Sequence, residues 1–152
     1  METAIFAGGC FWCMAPVFRN IKGVLDVVVG YTGGHETNPS YEQVCSETTG
    51  HREAAKVTFD PDIVSYETLL EAFWKSIDPF DAGGQHADRG ESYTTAIFCT
   101  EKQRPLALKT RPEGSATLIL PATTFYPAEN YHQSYYKKNP IRYNLYKASR
   151  SL

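Results

Sequence analysis

The chain has 152 residues, a length expected of a single domain that can bury a core without disulfide or metal staples. Fifteen Lys plus Arg against seventeen Asp plus Glu leave a formal charge of −2, so no basic field exists to hold a nucleic acid or an anionic membrane surface. With 42% hydrophobic and 21% charged residues, disorder and collagen-like repeats are excluded.

In chain order, residues 3–7 form a short apolar strand, and Gly8-Gly9 turns it into a helix predicted over 10–20 and closed by Gly23. This segment lies inside the longest uncharged stretch, residues 4–18, which Gly8-Gly9 and Pro16 interrupt and which follows Glu2. Neither a membrane span nor an export signal is expected there. A strand over 24–31 comes next. Glu53, Ala55, Val57 and Phe59 then alternate with Ala54, Lys56 and Thr58, the pattern of a half-buried strand ended by Asp60-Pro61.

Ser65 is placed as an N-cap, and Tyr66, Leu69, Leu70, Phe73, Trp74 and Ile77 recur at helical spacing until Asp78-Pro79 stops them. A strand over 94–100, a short helix over 102–109, a strand over 116–120 and a Tyr-rich helix over 128–138 complete the prediction. Two connections, 32–52 and 78–92, are long for so small a domain, and long ordered loops usually carry function.

The absence of an export signal points to the cytoplasm, a reducing compartment where cysteines serve chemistry more often than structure. Cys10 falls where a strand becomes a helix, and the positive end of the helix dipole there is expected to favour a thiolate. Cys10 is therefore the expected nucleophile. Cys13, one turn on, lies on the same helix face and within reach to resolve a sulfur intermediate. Two competing readings are buried structural cysteines and a zinc site using Cys10, Cys13, Cys45 and Cys99; one Cys-x-x-Cys with two lone partners is a weak metal pattern.

Glu53 is in phase with Ala55, Val57 and Phe59, which turns its carboxyl toward the apolar side of the sheet. Desolvation should raise its pKa, and a protonated carboxyl can give a proton to a weakly basic oxygen. Tyr41 and Tyr93 end the two long loops and offer phenol hydroxyls that could hydrogen-bond an oxygen on a ligand; by spacing alone, packing is the expected role of each. By position Asp88 is a turn residue.

Five collinear segments resemble the A-type peptide methionine sulfoxide reductases: Gly-Cys-Phe-Trp-Cys (9–13), Val-Gly-Tyr-Thr-Gly-Gly (29–34), Asn-Pro-Ser-Tyr-Glu-Gln-Val-Cys-Ser (38–46), Thr-Gly-His-Arg-Glu (49–53) and Tyr-Pro-Ala-Glu-Asn-Tyr-His-Gln (126–133). The resemblance implies an α+β fold: a two-layer sandwich with a mixed sheet, flanking helices, long functional loops and a ferredoxin-like core. It also implies that Cys10 attacks the sulfoxide sulfur, that Phe11 and Trp12 form an apolar pocket for the S-methyl group, and that Glu53 is the acid. Tyr41 and Tyr93 would hydrogen-bond the sulfoxide oxygen and Asp88 would shape the site.

A Cys10 sulfenic acid would condense with Cys13, and thioredoxin or a similar dithiol would reduce the disulfide. The implied substrate is methionine S-sulfoxide, free or in oxidised proteins, with no cofactor and no metal. Many relatives carry resolving cysteines in a C-terminal tail, but the tail here, residues 143–152, has none; that leaves Cys13, with Cys45 the substitute should Cys13 not serve. Ser92-Tyr93-Thr94 stands where Gln-Tyr-Arg is usual. Cys99 is expected to be a buried thiol and His132 a satisfied structural histidine.

The main alternative is a thioredoxin-like thiol-disulfide oxidoreductase using the same Cys-x-x-Cys. Its usual small or Pro residues between the cysteines are absent, and simple disulfide exchange has no use for Glu53. Residues 130–152, with five Lys or Arg, five Tyr and no acidic residue, are the only stretch suited to single-stranded RNA. A solvated helix with its Tyr packed inward is the expectation there, so neither a nucleic acid nor a membrane is an expected partner.

Overall fold

A computed structural model describes residues 1–133. The apolar run at the N-terminus forms β1 (Glu2–Ala7), which Gly8 and Gly9 turn into α1 (Phe11–Arg19). Then come β2 (Val24–Thr32), α2 (Tyr41–Cys45), β3 (Arg52–Phe59) and α3 (Tyr66–Ser76). The two-residue strands β4 (Gly84–Gln85) and β5 (Asp88–Arg89) lead through a 3-10 turn, Glu91–Tyr93, to β6 (Ala96–Cys99). After α4 (Arg104–Thr110), β7 (Leu118–Pro121) and β8 (Phe125–Pro127), a second 3-10 turn spans Asn130–His132.

The fold is α+β: a mixed sheet with flanking helices. Among the described residues, six strands run in the order β7-β6-β1-β3-β2-β8. All neighbours are antiparallel except β6 and β7, whose parallel pairing needs the crossover that α4 supplies. Helices α1 and α3 bury their apolar stripes on one face. There the Phe6 ring stacks on Phe18 at 4.8 Å and on Phe73 at 5.2 Å between centroids, uniting β1, α1 and α3. Ile5, Ala7, Ala54, Ala96 and Phe98 make a smaller cluster of opposite strand phase. Ser65 caps α3 as expected, accepting from the Thr68 N–H at 3.1 Å. Among the described residues no helix is long and apolar enough to cross a membrane.

The long connections are not bare loops. The first contains α2, which Ser40 and Gln43 start with a reciprocal capping box, a signal that was readable from Ser-x-x-Gln. The second contains β4, β5 and the 3-10 turn, so Asp88 is a strand residue rather than a turn residue. The helix expected over 128–138 is not seen in its described part: Phe125–Pro127 adds a strand to the sheet, and only a 3-10 turn follows. Its remainder, with most of the basic stretch 130–152, lies outside the described residues.

Gly30 of β2 makes the docking of β8 possible, because a side chain there would collide with the Tyr126 carbonyl and the Phe125 ring. Gly30→Ala is expected to lower stability by about 1–3 kcal/mol, the usual range for overpacking, as a fall in the urea midpoint. It should also lower activity, since β8 leads directly into Glu129 and His132. An unchanged midpoint would show that β8 shifts without cost.

Candidate active site

Cys10 is the N-cap of α1, and its carbonyl accepts from the Cys13 and Met14 N–H groups at 3.1 and 3.3 Å. The turn before it requires Gly9, whose φ is 89°. From the neighbouring β3, the Glu53 Oε1 accepts from the Phe11 N–H at 3.2 Å. The nucleophile candidate and the acid candidate thus share the first turn of one helix. Glu53 is 1% exposed, and its Oε2 has no hydrogen-bond partner.

Burial pushes the Glu53 carboxyl up to about 8; the Phe11 N–H opposes this, the Asp88 charge adds to it, and the Tyr93 hydroxyl opposes it. The neutral acid expected from the strand phase therefore fits the site's electrostatics. The expected resting thiolate does not. Burial, followed by the charges of Glu53 and Cys13, holds the Cys10 thiol well above its ordinary range, while the Trp12 N–H lowers it and Asp88 raises it. A helix N-terminus is worth roughly 0.3–1 kcal/mol to an anion, less than one pKa unit, about 1.4 kcal/mol. It cannot offset desolvation of a group only 5% exposed. At neutral pH the pair is an uncharged thiol beside an uncharged acid.

Tyr41, at the start of α2, and Tyr93, at the end of the first 3-10 turn, both lie near Glu53. Burial and then the Glu53 charge raise both phenols, so both remain donors. The Cys45 thiol at the end of α2 sits against both hydroxyls. Asp88, on β5, acts electrostatically on Cys10 and Glu53 together. Cys13 is half-buried, whereas Cys99 is buried in β6 with its Sγ 3.6 Å from the Leu120 carbonyl.

Phe11 is completely buried and Trp12 half-exposed. Trp12 therefore presents apolar surface, and Phe11 backs the site from beneath. The Phe11 ring lies 5.2 Å from His132 and 5.8 Å from Tyr31. His132 is only half satisfied, a correction to its reading as a satisfied structural histidine. Its Nδ1 accepts from the Trp12 Nε1–H at 3.0 Å, which places the ring proton on Nε2, a buried atom with no partner. Burial lowers its pKa, keeping the ring neutral. Its ring also packs 4.4 Å from Tyr41, so it orients two of the site's aromatic groups.

Sequence reasoning missed Glu129. Its carboxylate accepts from the Tyr31 hydroxyl at 2.9 Å and from the Tyr41 N–H at 3.0 Å, tying the end of β8 to β2 and to the start of α2. An acidic residue beside a Tyr-rich stretch was the available signal.

The model of the family described as peptide methionine sulfoxide reductase matches residues 2–152. The peptide methionine sulfoxide reductase MsrA of Bacillus licheniformis is 56% identical over 96% of this chain and 86% of its own. That of Streptococcus agalactiae is 50% identical over 99% and 95%. Among solved structures, the reduced form of Mxr1 from Saccharomyces cerevisiae superposes with a TM-score of 0.84 at 29% identity, covering 91% of this chain and 86% of that one. Methionine sulfoxide reductase A of Corynebacterium diphtheriae gives 0.79 at 31% identity, over 92% and 76%. With the family model spanning nearly every residue and relatives this similar along nearly the whole chain, the protein belongs to the peptide methionine sulfoxide reductase family.

Proposed function

We propose that Cys10 is the nucleophile, Glu53 the acid and Cys13 the resolving thiol in the reduction of methionine S-sulfoxide, free or within peptides and proteins, to methionine. The observation that carries these roles is the buried Cys10–Glu53 pair at the start of α1, where Glu53 accepts from the Phe11 N–H through Oε1 and its unpartnered Oε2 is left to serve a substrate. The carboxyl proton sits on Oε2, since Oε1 accepts from Phe11. It passes to the sulfoxide oxygen as the Cys10 sulfur attacks, and Glu53 recovers a proton from the Cys10 thiol. Oxygen leaves the substrate as the hydroxyl of a Cys10 sulfenic acid, and methionine departs. Condensation with the Cys13 thiol expels water and forms the Cys10–Cys13 disulfide, which a dithiol then reduces.

Tyr41 and Tyr93 hydrogen-bond the sulfoxide oxygen, Trp12 walls the S-methyl group with Phe11 behind it, and Asp88 helps keep both acidic groups protonated. Thioredoxin is the proposed reductant. One solved structure of the yeast Mxr1, which shares this fold with a TM-score of 0.55 at 19% identity over 88% of this chain, holds it in complex with Trx2. Residues 1–152 are taken as one cytoplasmic catalytic domain. The β1-α1-β2-β3-α3-β6 succession, with strand order β6-β1-β3-β2, supports a two-layer sandwich on a ferredoxin-like core.

The test is a reductant-free incubation with racemic methionine sulfoxide. About one methionine should appear and about two thiols be lost per chain, with only the S epimer consumed. Cys13→Ser should still release about one equivalent but fail to turn over with thioredoxin. Undiminished multiple turnover by Cys13→Ser would shift resolution to Cys45 or to the reductant itself.

A further inference from the structure

The loops that deliver Tyr41 and Tyr93 are tied together by one surface side chain. Glu47, two residues beyond α2, accepts from the Ser92 N–H at 2.9 Å and from the Ser92 hydroxyl at 2.6 Å. Ser92 is buried and immediately precedes Tyr93 in the 3-10 turn. On the other side of Tyr93, Thr94 accepts from the Arg52 Nε–H at 2.8 Å and donates to the Glu91 carbonyl at 2.6 Å. Tyr93 thus hangs between two anchored neighbours, each held by a charged residue from outside its own loop.

Two features show that this arrangement is over-determined. Glu47 has a φ of 63°, a left-handed conformation that residues with a Cβ rarely adopt and that persists only where the surroundings hold it. Gly90, with φ 120°, is left-handed backbone against which the Glu47 carboxylate lies, and a Cβ there would sit 2.7 Å from the Glu47 Oε1 and displace it from Ser92. Glu47 is itself exposed, so its backbone conformation serves no core packing. What it holds is the position of Ser92.

We propose that Glu47 is a positioning residue for sulfoxide reduction: by clamping Ser92 it fixes the Tyr93 hydroxyl relative to the Tyr41 hydroxyl, and so sets the spacing of the two donors that grip the substrate oxygen. This rests on the role given to Tyr93 above. A clamp of this kind acts on binding and orientation of the oxygen, and it contributes nothing to the later disulfide steps.

The test uses Glu47→Gly, Glu47→Gln, Tyr93→Phe and the Glu47→Gly/Tyr93→Phe double variant. Glycine adopts the left-handed φ freely, so Glu47→Gly removes the clamp without new strain. Its kcat/KM for methionine S-sulfoxide should fall roughly tenfold, the scale of a mispositioned contact, mostly through KM, with the urea midpoint almost unmoved. Glu47→Gln, which keeps one acceptor, should recover most of the loss. In the Tyr93→Phe background Glu47→Gly should have no further effect, the sign that it acts through that phenol. An unaltered kcat/KM in Glu47→Gly, or a loss that multiplies with that of Tyr93→Phe, overturns the clamp. Unimpaired Tyr93→Phe would overturn the clamp together with the role of Tyr93, whereas impaired Tyr93→Phe with inert Glu47→Gly overturns the clamp alone.

Discussion

Cys10→Ser is expected to form no methionine from methionine sulfoxide, with or without a reductant. A serine hydroxyl is a poor nucleophile toward sulfur and has no counterpart to the sulfenic acid, so the first step disappears rather than slows. The fold should survive. Serine is close in size to cysteine, and an unsatisfied buried hydroxyl costs about 1–3 kcal/mol, a loss that a urea melt would report. Methionine release by a folded Cys10→Ser protein would mean that Cys13 or Cys45 carries out the attack. The burial of Cys10 at 5% exposure argues for the opposite division of labour: the covered sulfur performs the chemistry that needs a dry pocket, and the half-buried Cys13 meets the reductant.

The second large effect belongs to Glu53→Gln, which keeps the side chain's shape and its bond from the Phe11 N–H but has no acid proton. Loss of a general acid typically costs 10²–10⁴-fold, and the single-turnover rate should fall by about that much. In the wild type the acid is present below its pKa, so the rate should drop as pH rises through about 8; in the variant that alkaline limb should vanish.

The substitution should move stability in the direction opposite to activity. The folded carboxyl titrates near 8 rather than near 4.5, so between those values the native state holds a proton that the unfolded chain has released. Stability therefore falls as pH rises across this window. At pH 7 the penalty is on the order of 3 kcal/mol, and Glu53→Gln is relieved of it. A variant that is slower yet more resistant to urea at pH 7 is the expected pair of results. A single-turnover rate equal to wild type would remove Glu53 from the mechanism.

Local sequence pattern revealed the elements that bury one face. Phe73 and its neighbours in α3 recur at helical spacing, and the alternation of Ala55, Val57 and Phe59 placed Glu53 on the core side of β3. Those signals are local, because each residue's environment follows from its own strand or helix. Three things were not legible. β8 is a strand only because Gly30 allows Phe125 and Tyr126 to approach β2 closely. The protonation of Cys10 depends on how deeply it is covered where Glu53, Tyr41, Asp88 and Tyr93 converge on it, which a helix N-terminus in the sequence cannot report. The struts from Glu129 and Glu47 link positions 88 and 45 residues apart in the chain, and nothing near either glutamate marks its partner.

Keeping Cys10 as a covered neutral thiol has a consequence for survival under the conditions in which the enzyme is needed. Peroxides and alkylating agents attack thiolates that solvent can reach, and Cys10 at rest offers neither a charge nor much surface. The exposed Cys45 is the thiol they meet first. In the role proposed for it, the Cys10 sulfur is thereby insulated from the agents that cause oxidative damage, and it would meet an oxidised thioether only once that is lodged against Trp12.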